Sequence, residues 1–359
     1  MEVSSVSPLR VGLLGYGAAG SVFHAPLIAV TPGLRLDAVV TSSPERQAQV
    51  RREHPEARVL DRPAQLWEDD GLDLVVVATP NRFHASLALT AIEAGLPVVV
   101  DKPLAATSTE GRHVIEQARR NAVPITVFQN RRWDGDFLTV RRLIAEGALG
   151  TVLRFESRYQ RWRPTVRTGW RASGAPEEAG GTLLDLGAHL VDQALQLFGP
   201  AASVYGEVDR RRPQAQVDDD AFVALTHADG TRSHLWMSDV VAQFGPRLRV
   251  LGDRAGYTKY GLDLQEAALR AGDRPDRDGW GEEPPAMFGQ VGVDGDLREV
   301  PTEPGSYQQF YAGVAQALAE GAPMPVDPAE SLTVLEILET ARESAARGSA
   351  VPVRPQATT

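Results

Sequence analysis

The sequence predicts two fold classes in succession. Residues 1–129 read as a doubly wound α/β domain with a parallel sheet, and residues 130–359 as an α+β domain with an open, mostly antiparallel sheet carrying helices on one face. Three observations carry this. Apolar runs alternate with helical segments over the first 130 residues, a glycine-spaced turn follows the first of those runs, and strand-like runs succeed one another with few helices after residue 150. Strands separated by helices of ~10–15 residues form βαβ units, which build a parallel sheet covered on both faces.

The elements follow in order. Residues 10–15 form the first strand, followed by a helix of small residues, and residues 34–41 (LRLDAVVT) form the second. A short third strand is placed at 58–60. The run at 72–79 (LDLVVVAT) is nearly all apolar and β-branched at its centre, as a strand buried on both faces requires. A helix at 83–95 stops at glycine, a strand follows at 97–101, a helix at 107–121 and a sixth strand at 124–129. Beyond these lie a long strand at 151–161, a helix at 181–199, and strands at 203–211, 221–227, 231–239 and 247–252. Asp229-Gly230 is a hairpin turn, residues 272–295 read as a long loop, and helices at 306–320 and 328–347 close the chain.

Composition narrows the function. A net charge of -10 argues against a nucleic-acid binder, which needs a basic surface to neutralise phosphates. The absence of cysteine removes disulfides, thiolate metal sites and cysteine nucleophiles together. No stretch reaches the ~20 apolar residues of a bilayer span, and MEVSSVSPLR lacks the apolar core of a signal peptide. The expectation is a cytoplasmic protein without nucleic-acid or membrane partners.

Four motifs could carry chemistry. The first is GYGAAG: Gly15, Tyr16, Gly17, Ala18, Ala19 and Gly20, between a strand and a helix. Gly15 permits a tight turn, Gly17 lets backbone approach a pyrophosphate and Gly20 lets helix and strand pack closely, with the helix N-terminus facing the anion. The second is the end of the second strand. Asp37 lies too early to hold a ribose 2′-hydroxyl, whereas Ser42, Ser43 and Arg46 suit a 2′-phosphate. That favours NADP(H) and leaves NAD(H) possible; the competing reading makes Arg46 a solvated helix residue. The third is TPNRFH, with Thr79, Pro80, Asn81 and His84 at a strand's carboxyl end, where ligands of open α/β sheets bind. Asn81 as a helix cap and His84 as a structural histidine are the alternatives. The fourth is Asp101-Lys102-Pro103, where a lysine can polarise an oxygen and join a proton relay.

These strings, with GGTLLDLGAHLVDQ at residues 180–193, resemble the Gfo/Idh/MocA oxidoreductase family over nearly the whole chain. NRRWDGDFLTV at 130–140 and the GYG…FHAPLI opening are similar to a bacterial branch of that family that includes an NADP-dependent inositol dehydrogenase. Asp101 stands where the family usually has Glu, which keeps the charge and shortens the reach. The resemblance implies a Rossmann N-terminal domain and a C-terminal sheet that holds substrate and forms a homodimer or homotetramer. It matches Lys102, Asp185 and His189 to the family's catalytic residues. It also places Trp170 and Arg171 near the nicotinamide, and Asn130 and Arg131 in contact with substrate or cofactor.

Asp185 and His189 stand four residues apart, about one helical turn, so they share a face. On the implied chemistry His189 takes the proton of a substrate hydroxyl as hydride leaves the same carbon, Asp185 orients substrate or imidazole, and Lys102 stabilises charge on the same oxygen. Either His189 or Lys102 can be the base. A metal site of Asp185, His189 and Asp192 is set aside, because hydride transfer here needs none. Residues 154–171 hold six arginines and four aromatic residues; Arg158, Arg163 and Arg167 are candidates to face a polyol or sugar, or else belong to an interface strand. The Asp218–Asp220 run reads as solvated. Two other functions stand beside a dehydrogenase: redox-neutral family chemistry through transient oxidation, and a regulator that binds NADP without turnover.

Overall fold

The structure, a computed structural model, describes residues 7–67, 71–166 and 168–353. Two compact units are present. One takes the chain up to Asn130 together with Gln265–Trp280 and Ser306–Leu332; the other takes Arg131–Leu264, Gly281–Gly305 and the chain from Thr333 onward. The chain therefore passes between the two units repeatedly after residue 130.

In the first unit, β1 (Leu9–Leu14), α1 (Ala25–Val30), β2 (Leu34–Val40), α2 (Pro44–Glu53), β3 (Arg58–Leu60), α3 (Ala64–Trp67), β4 (Leu74–Val77), α4 (His84–Glu93), β5 (Val98–Asp101), α5 (Ser108–Arg120) and β6 (Ile125–Phe128) alternate. The described strands form one parallel sheet, ordered β3-β2-β1-β4-β5-β6. Order reverses at β1/β4, the switch point where such sheets open a crevice at their carboxyl ends. β4 and β5 are buried along their whole length, which is why they read as valine runs rather than alternating ones. α5 starts on a capping box: Thr107 accepts from the Glu110 N–H and Glu110 accepts from the Thr107 N–H, a cap worth about 1 kcal/mol. The small-residue helix expected after β1 opens instead as a wide π-type turn, Ala19–His24, before α1.

The second unit contains α6 (Gly135–Ala145), β7 (Val152–Gln160), α7 (Thr182–Asp185), α8 (Gly187–Phe198), β8 (Ala201–Asp209), β9 (Asp220–His227), β10 (Arg232–Ser238), β11 (Leu248–Gly252) and β12 (Gly256–Lys259). α9 (Gln265–Ala271) then belongs to the first unit, β13 (Gly289–Val293) and β14 (Asp296–Val300) to the second, and α10 (Gln308–Glu320) to the first. α11 (Pro328–Arg347) and β15 (Val351–Pro352) complete the described chain. Nine described strands form one sheet, β14-β13-β12-β11-β7-β10-β9-β8-β15, antiparallel except for the β7/β10 pair. Alternate residues of β9 are buried: Ala221, Val223, Leu225 and His227. That face lies under the helices. Gly206 of β8 touches the α11 backbone at Ala341, and a Cβ there would stand 2.4 Å from its carbonyl oxygen.

Three expectations are corrected. Residues 272–295 are not all loop, because β13 occupies their end and pairs with β14 across Asp294-Gly295, with Gly295 at φ +89°. This is the same Asp-Gly hairpin signal that joins β9 to β10, where Gly230 has φ +92°. The helix at 181–199 is broken at Leu186 into α7 and α8, with the His189 and Leu190 amides both directed to the Leu186 carbonyl. The aspartates at 218–220 are not a solvated run, since all three carboxylates hold arginine or backbone partners. Among the described residues no helix is long and apolar enough to cross a membrane.

Candidate active site

The first unit offers a cradle. Gly15 has φ +98°, and a Cβ on it would stand 2.4 Å from the Ala78 carbonyl oxygen just past β4. A Cβ on Gly20 would stand 2.1 Å from the Gly15 carbonyl oxygen. The amide and hydroxyl of Ser21 both donate to the Gly17 carbonyl, at 2.8 and 2.9 Å, and hold the turn against the helix start. Gly17 itself is open: a Cβ there meets only the Arg46 guanidinium, at 3.8 Å. A loop stripped of side chains, with one arginine beside it, fits a dinucleotide pyrophosphate. Ala18 and Ala19 lie in the same turn. Tyr16 is buried, and its hydroxyl donates to Glu53 at 2.8 Å; burial first, then that carboxylate, push the phenol well above its usual range.

Asp37 lies in the middle of β2. Arg10, Arg35 and Arg58 all pair with its carboxylate, at 3.1, 3.0 and 2.6 Å. Burial pushes its pKa up, but the Arg10 and Arg58 hydrogen bonds outweigh that and hold it at about 2. Ser42 and Arg46 are exposed, and the Ser43 hydroxyl accepts from the Arg46 amide at the start of α2.

His84 is a brace. It is fully buried, with Nδ1 2.7 Å from the Pro103 carbonyl oxygen and Nε2 2.9 Å from that of Thr79. It thereby ties the turn after β4, which carries Thr79, Pro80 and Asn81, to the turn after β5, which carries Asp101 and Lys102. Burial lowers its pKa, and the Asp101 charge and the two carbonyls oppose that. Asp101 accepts from the Lys102 amide at 2.9 Å, while the Lys102 side chain is half-buried. Asn130, also in this unit, is buried.

In the second unit Asp218 sets the site's start. It accepts from the Leu183 amide at 2.7 Å and the Thr182 hydroxyl at 3.1 Å, capping α7. Gly181, at φ +99°, leaves no room for a Cβ beside that carboxylate. Asp185, His189 and Gln193 then follow at helical spacing and form a ridge. Asp185 is half-buried and flanked by two guanidiniums, Arg161 at 3.8 Å and Arg171 at 3.8 Å. His189 is buried. The Gln193 amide donates to the Arg131 carbonyl at 2.8 Å and accepts from Arg247 at 3.0 Å. Asp192 accepts twice from Arg132, at 2.8 and 2.6 Å, in a buried bidentate pair.

Strand alternation sorts the arginines of residues 154–171. Tyr159 and Arg161 share the helix-covered face, where the Arg161 guanidinium lies 4.9 Å from the Tyr159 ring centre. Arg131 is buried and donates to the Tyr159 hydroxyl at 2.6 Å, so it braces this wall. Arg158 is not brought to Asp185: it sits on the opposite face, over Trp236 at 4.0 Å and bonded to Glu156 at 2.8 Å. Arg163 pairs with Asp239 at 3.2 Å, and Arg161 stands 3.9 Å from the same carboxylate oxygen. Arg167 lies outside the described residues. Trp170 carries the Arg171 guanidinium over its ring at 4.2 Å. Sequence reasoning missed Arg161, Tyr159, Arg132, Gln193 and Asp218, whose only signal was polar character in otherwise apolar or loop surroundings.

Known proteins complete the picture. Residues 9–129 match the oxidoreductase family with an NAD-binding Rossmann fold, and residues 137–258 match the GFO/IDH/MocA C-terminal domain. The chain is 37% identical to scyllo-inositol 2-dehydrogenase (NADP(+)) IolW of Bacillus subtilis, over 94% of each chain. It is 42% identical to the uncharacterised oxidoreductase YdgJ of Escherichia coli, over 94% of this chain and 96% of that one. The solved structure of the oxidoreductase yvaA from Bacillus subtilis superposes with a TM-score of 0.91 at 36% identity, covering 97% of this chain and 99% of that one. The chain belongs to the Gfo/Idh/MocA family and is an NAD(P)-dependent dehydrogenase.

Proposed function

We propose that the protein is an NADP(H)-preferring dehydrogenase that reversibly oxidises a secondary alcohol of an inositol-like cyclic polyol or sugar to a ketone. The observation that carries the chemistry is the ridge on α7 and α8, where a buried imidazole follows one turn after a carboxylate braced by two guanidiniums. The relative named scyllo-inositol 2-dehydrogenase supports the polyol class. Arg46 beside Gly17 and the engagement of Asp37 by three arginines support NADP(H), because a charge is offered to a 2′-phosphate and no free acid to a ribose hydroxyl.

A bound nicotinamide supplies the hydride acceptor. His189 takes the hydroxyl proton, and Asp185 orients the substrate by accepting from a hydroxyl. Lys102 donates to the reacting oxygen and stabilises its developing charge. Asn130, Trp170 and Arg171 contact substrate or cofactor. The half-exposed sheet face around Phe222, Trp236 and Arg158 supports assembly as a homo-oligomer.

The test is absorbance at 340 nm with NADP⁺ and NAD⁺ in parallel over inositols, pyranoses and sugar acids. Turnover with NADP⁺ on the cyclic polyols is expected. NADPH binding without net turnover on any substrate would overturn the reading, in favour of redox-neutral chemistry or a regulator.

A further inference from the structure

We propose that His24, anchored by Tyr311, is a positioning residue for Lys102, acting through the Asp101 carboxylate. The inference rests on the reading that Lys102 acts on the substrate hydroxyl. Its parts lie 287 residues apart in the chain and within one unit of the fold. His24 ends the wide turn after the glycine loop; Tyr311 lies on α10; both are fully buried.

The imidazole is held on three sides. Its Nδ1 is 2.6 Å from the Tyr311 hydroxyl, its ring centre is 4.4 Å from that of Phe128, and the Tyr311 ring meets it edge-on. Nε2 makes no hydrogen bond within normal reach, and it faces Asp101 Oδ1 at 3.7 Å. That same oxygen accepts the backbone N–H of Lys102 at 2.9 Å. With Tyr311 donating to Nδ1, the ring proton sits on Nε2 and points at Asp101. The result is a directed chain from Tyr311 through His24 to the carboxylate on which the Lys102 turn is hung. His84 fixes the next carbonyl of that turn, at Pro103.

The charged and titratable groups that face Asp101 are His24, His84 and Lys102, and those that face Tyr311 are His24 and Asp101. Burial would raise the Asp101 carboxyl, yet His24 and the neighbouring charges hold it below the usual range. Packing alone does not call for this arrangement. A leucine at position 24 and a phenylalanine at 311 would fill the space without desolvating polar groups. What the polar version supplies is a fixed place for negative charge beside the lysine. Without the His24 N–H facing it, the Asp101 carboxylate loses a partner for its negative charge and the lysine turn loses a support.

The experiment measures kcat against pH for NADP⁺-dependent polyol oxidation in H24L, H24Q, Y311F and K102A, with NADPH binding followed by fluorescence. H24L is expected to lose about tenfold in kcat, with the acidic limb displaced upward by about one pH unit. Y311F should move the limb the same way by less. H24Q, which restores an N–H donor, should return both toward wild type. NADPH binding should stay within about twofold in H24L, H24Q and Y311F, since neither His24 nor Tyr311 belongs to the cradle. Wild-type kcat and limb in H24L and Y311F, with K102A inactive, would overturn the proposal. So would a loss in H24L with an unmoved limb and no rescue by glutamine, because that is a packing effect. Full activity of K102A would instead overturn the reading of Lys102. If H24L does not fold, Y311F decides, as it removes one oxygen only.

Discussion

The turn at residues 15–20 and the ridge at residues 182–193 prepare the molecule for chemistry by opposite means. The turn works by omission: Gly15 and Gly20 bring backbone so close to backbone that any side chain collides with a carbonyl oxygen at 2.4 or 2.1 Å. The ridge works by compensation: Asp185, Asp192 and Gln193 are each held by arginines from elsewhere in the second unit, and Asp218 caps its first turn. The turn should therefore fail through steric strain at a single atom. The ridge should fail through a stranded charge, and removal of the matching partner should repair it.

Gly20→Ala tests the omission and should have the largest effect on cofactor binding. The added methyl cannot be accommodated at 2.1 Å from the Gly15 carbonyl oxygen, so NADPH affinity should drop more than about 100-fold, or roughly 3 kcal/mol. Fluorescence titration reads this directly, and wild-type affinity would break the comparison. Arg132→Leu tests compensation. It leaves buried Asp192 without its bidentate partner and should cost about 3–5 kcal/mol in urea unfolding, much of it recovered in R132L/D192L. Failure of the second substitution to recover stability would show that the pair does more than neutralise itself.

A smaller effect is expected at Arg46, which is exposed beside open Gly17. Arg46→Ala should lower the NADP⁺/NAD⁺ ratio of kcat/KM about tenfold while leaving Tm nearly unchanged. An unchanged ratio would return Arg46 to the solvated helix reading. The smallest effect is electrostatic. Asp37 is depressed to about 2, so it contributes stability above its unfolded pKa of about 3.9, and that contribution disappears as pH falls through about 2. The stability deficit of Asp37→Asn at neutral pH should shrink across that window, with the cofactor ratio unaltered.

The same contrast explains what could be read from the chain. The turn is local, and three glycines at fixed spacing between a strand and a helix contain its whole logic. The valine runs of β4 and β5 are likewise complete statements of two-sided burial. The ridge is non-local. Asp185 and His189 announced themselves by spacing, but the braces of their ridge come from Arg161 and Arg171 after β7, from Arg132 before α6 and from Asp218 before β9. The run at 218–220 looked solvated because charge along a sequence does not reveal which arginines will reach it. Arg158 was left between a pocket and an interface strand for a related reason: an arginine-rich strand shows its alternation only once Phe155, Ser157 and Tyr159 are known to face the helices. His24 and Tyr311 were invisible because one closes a turn and the other arrives from the far end of the chain.

The central claim is net hydride transfer from a polyol carbon to NADP⁺, and isotope transfer tests it most directly. C-deuterated scyllo-inositol and NADP⁺ should yield NADPH carrying one deuterium per ketone formed, as read by mass spectrometry, with the transfer lost in His189→Ala and Lys102→Ala. Substrate conversion that leaves the cofactor oxidised and free of deuterium, or transfer that persists in both variants, would contradict the account.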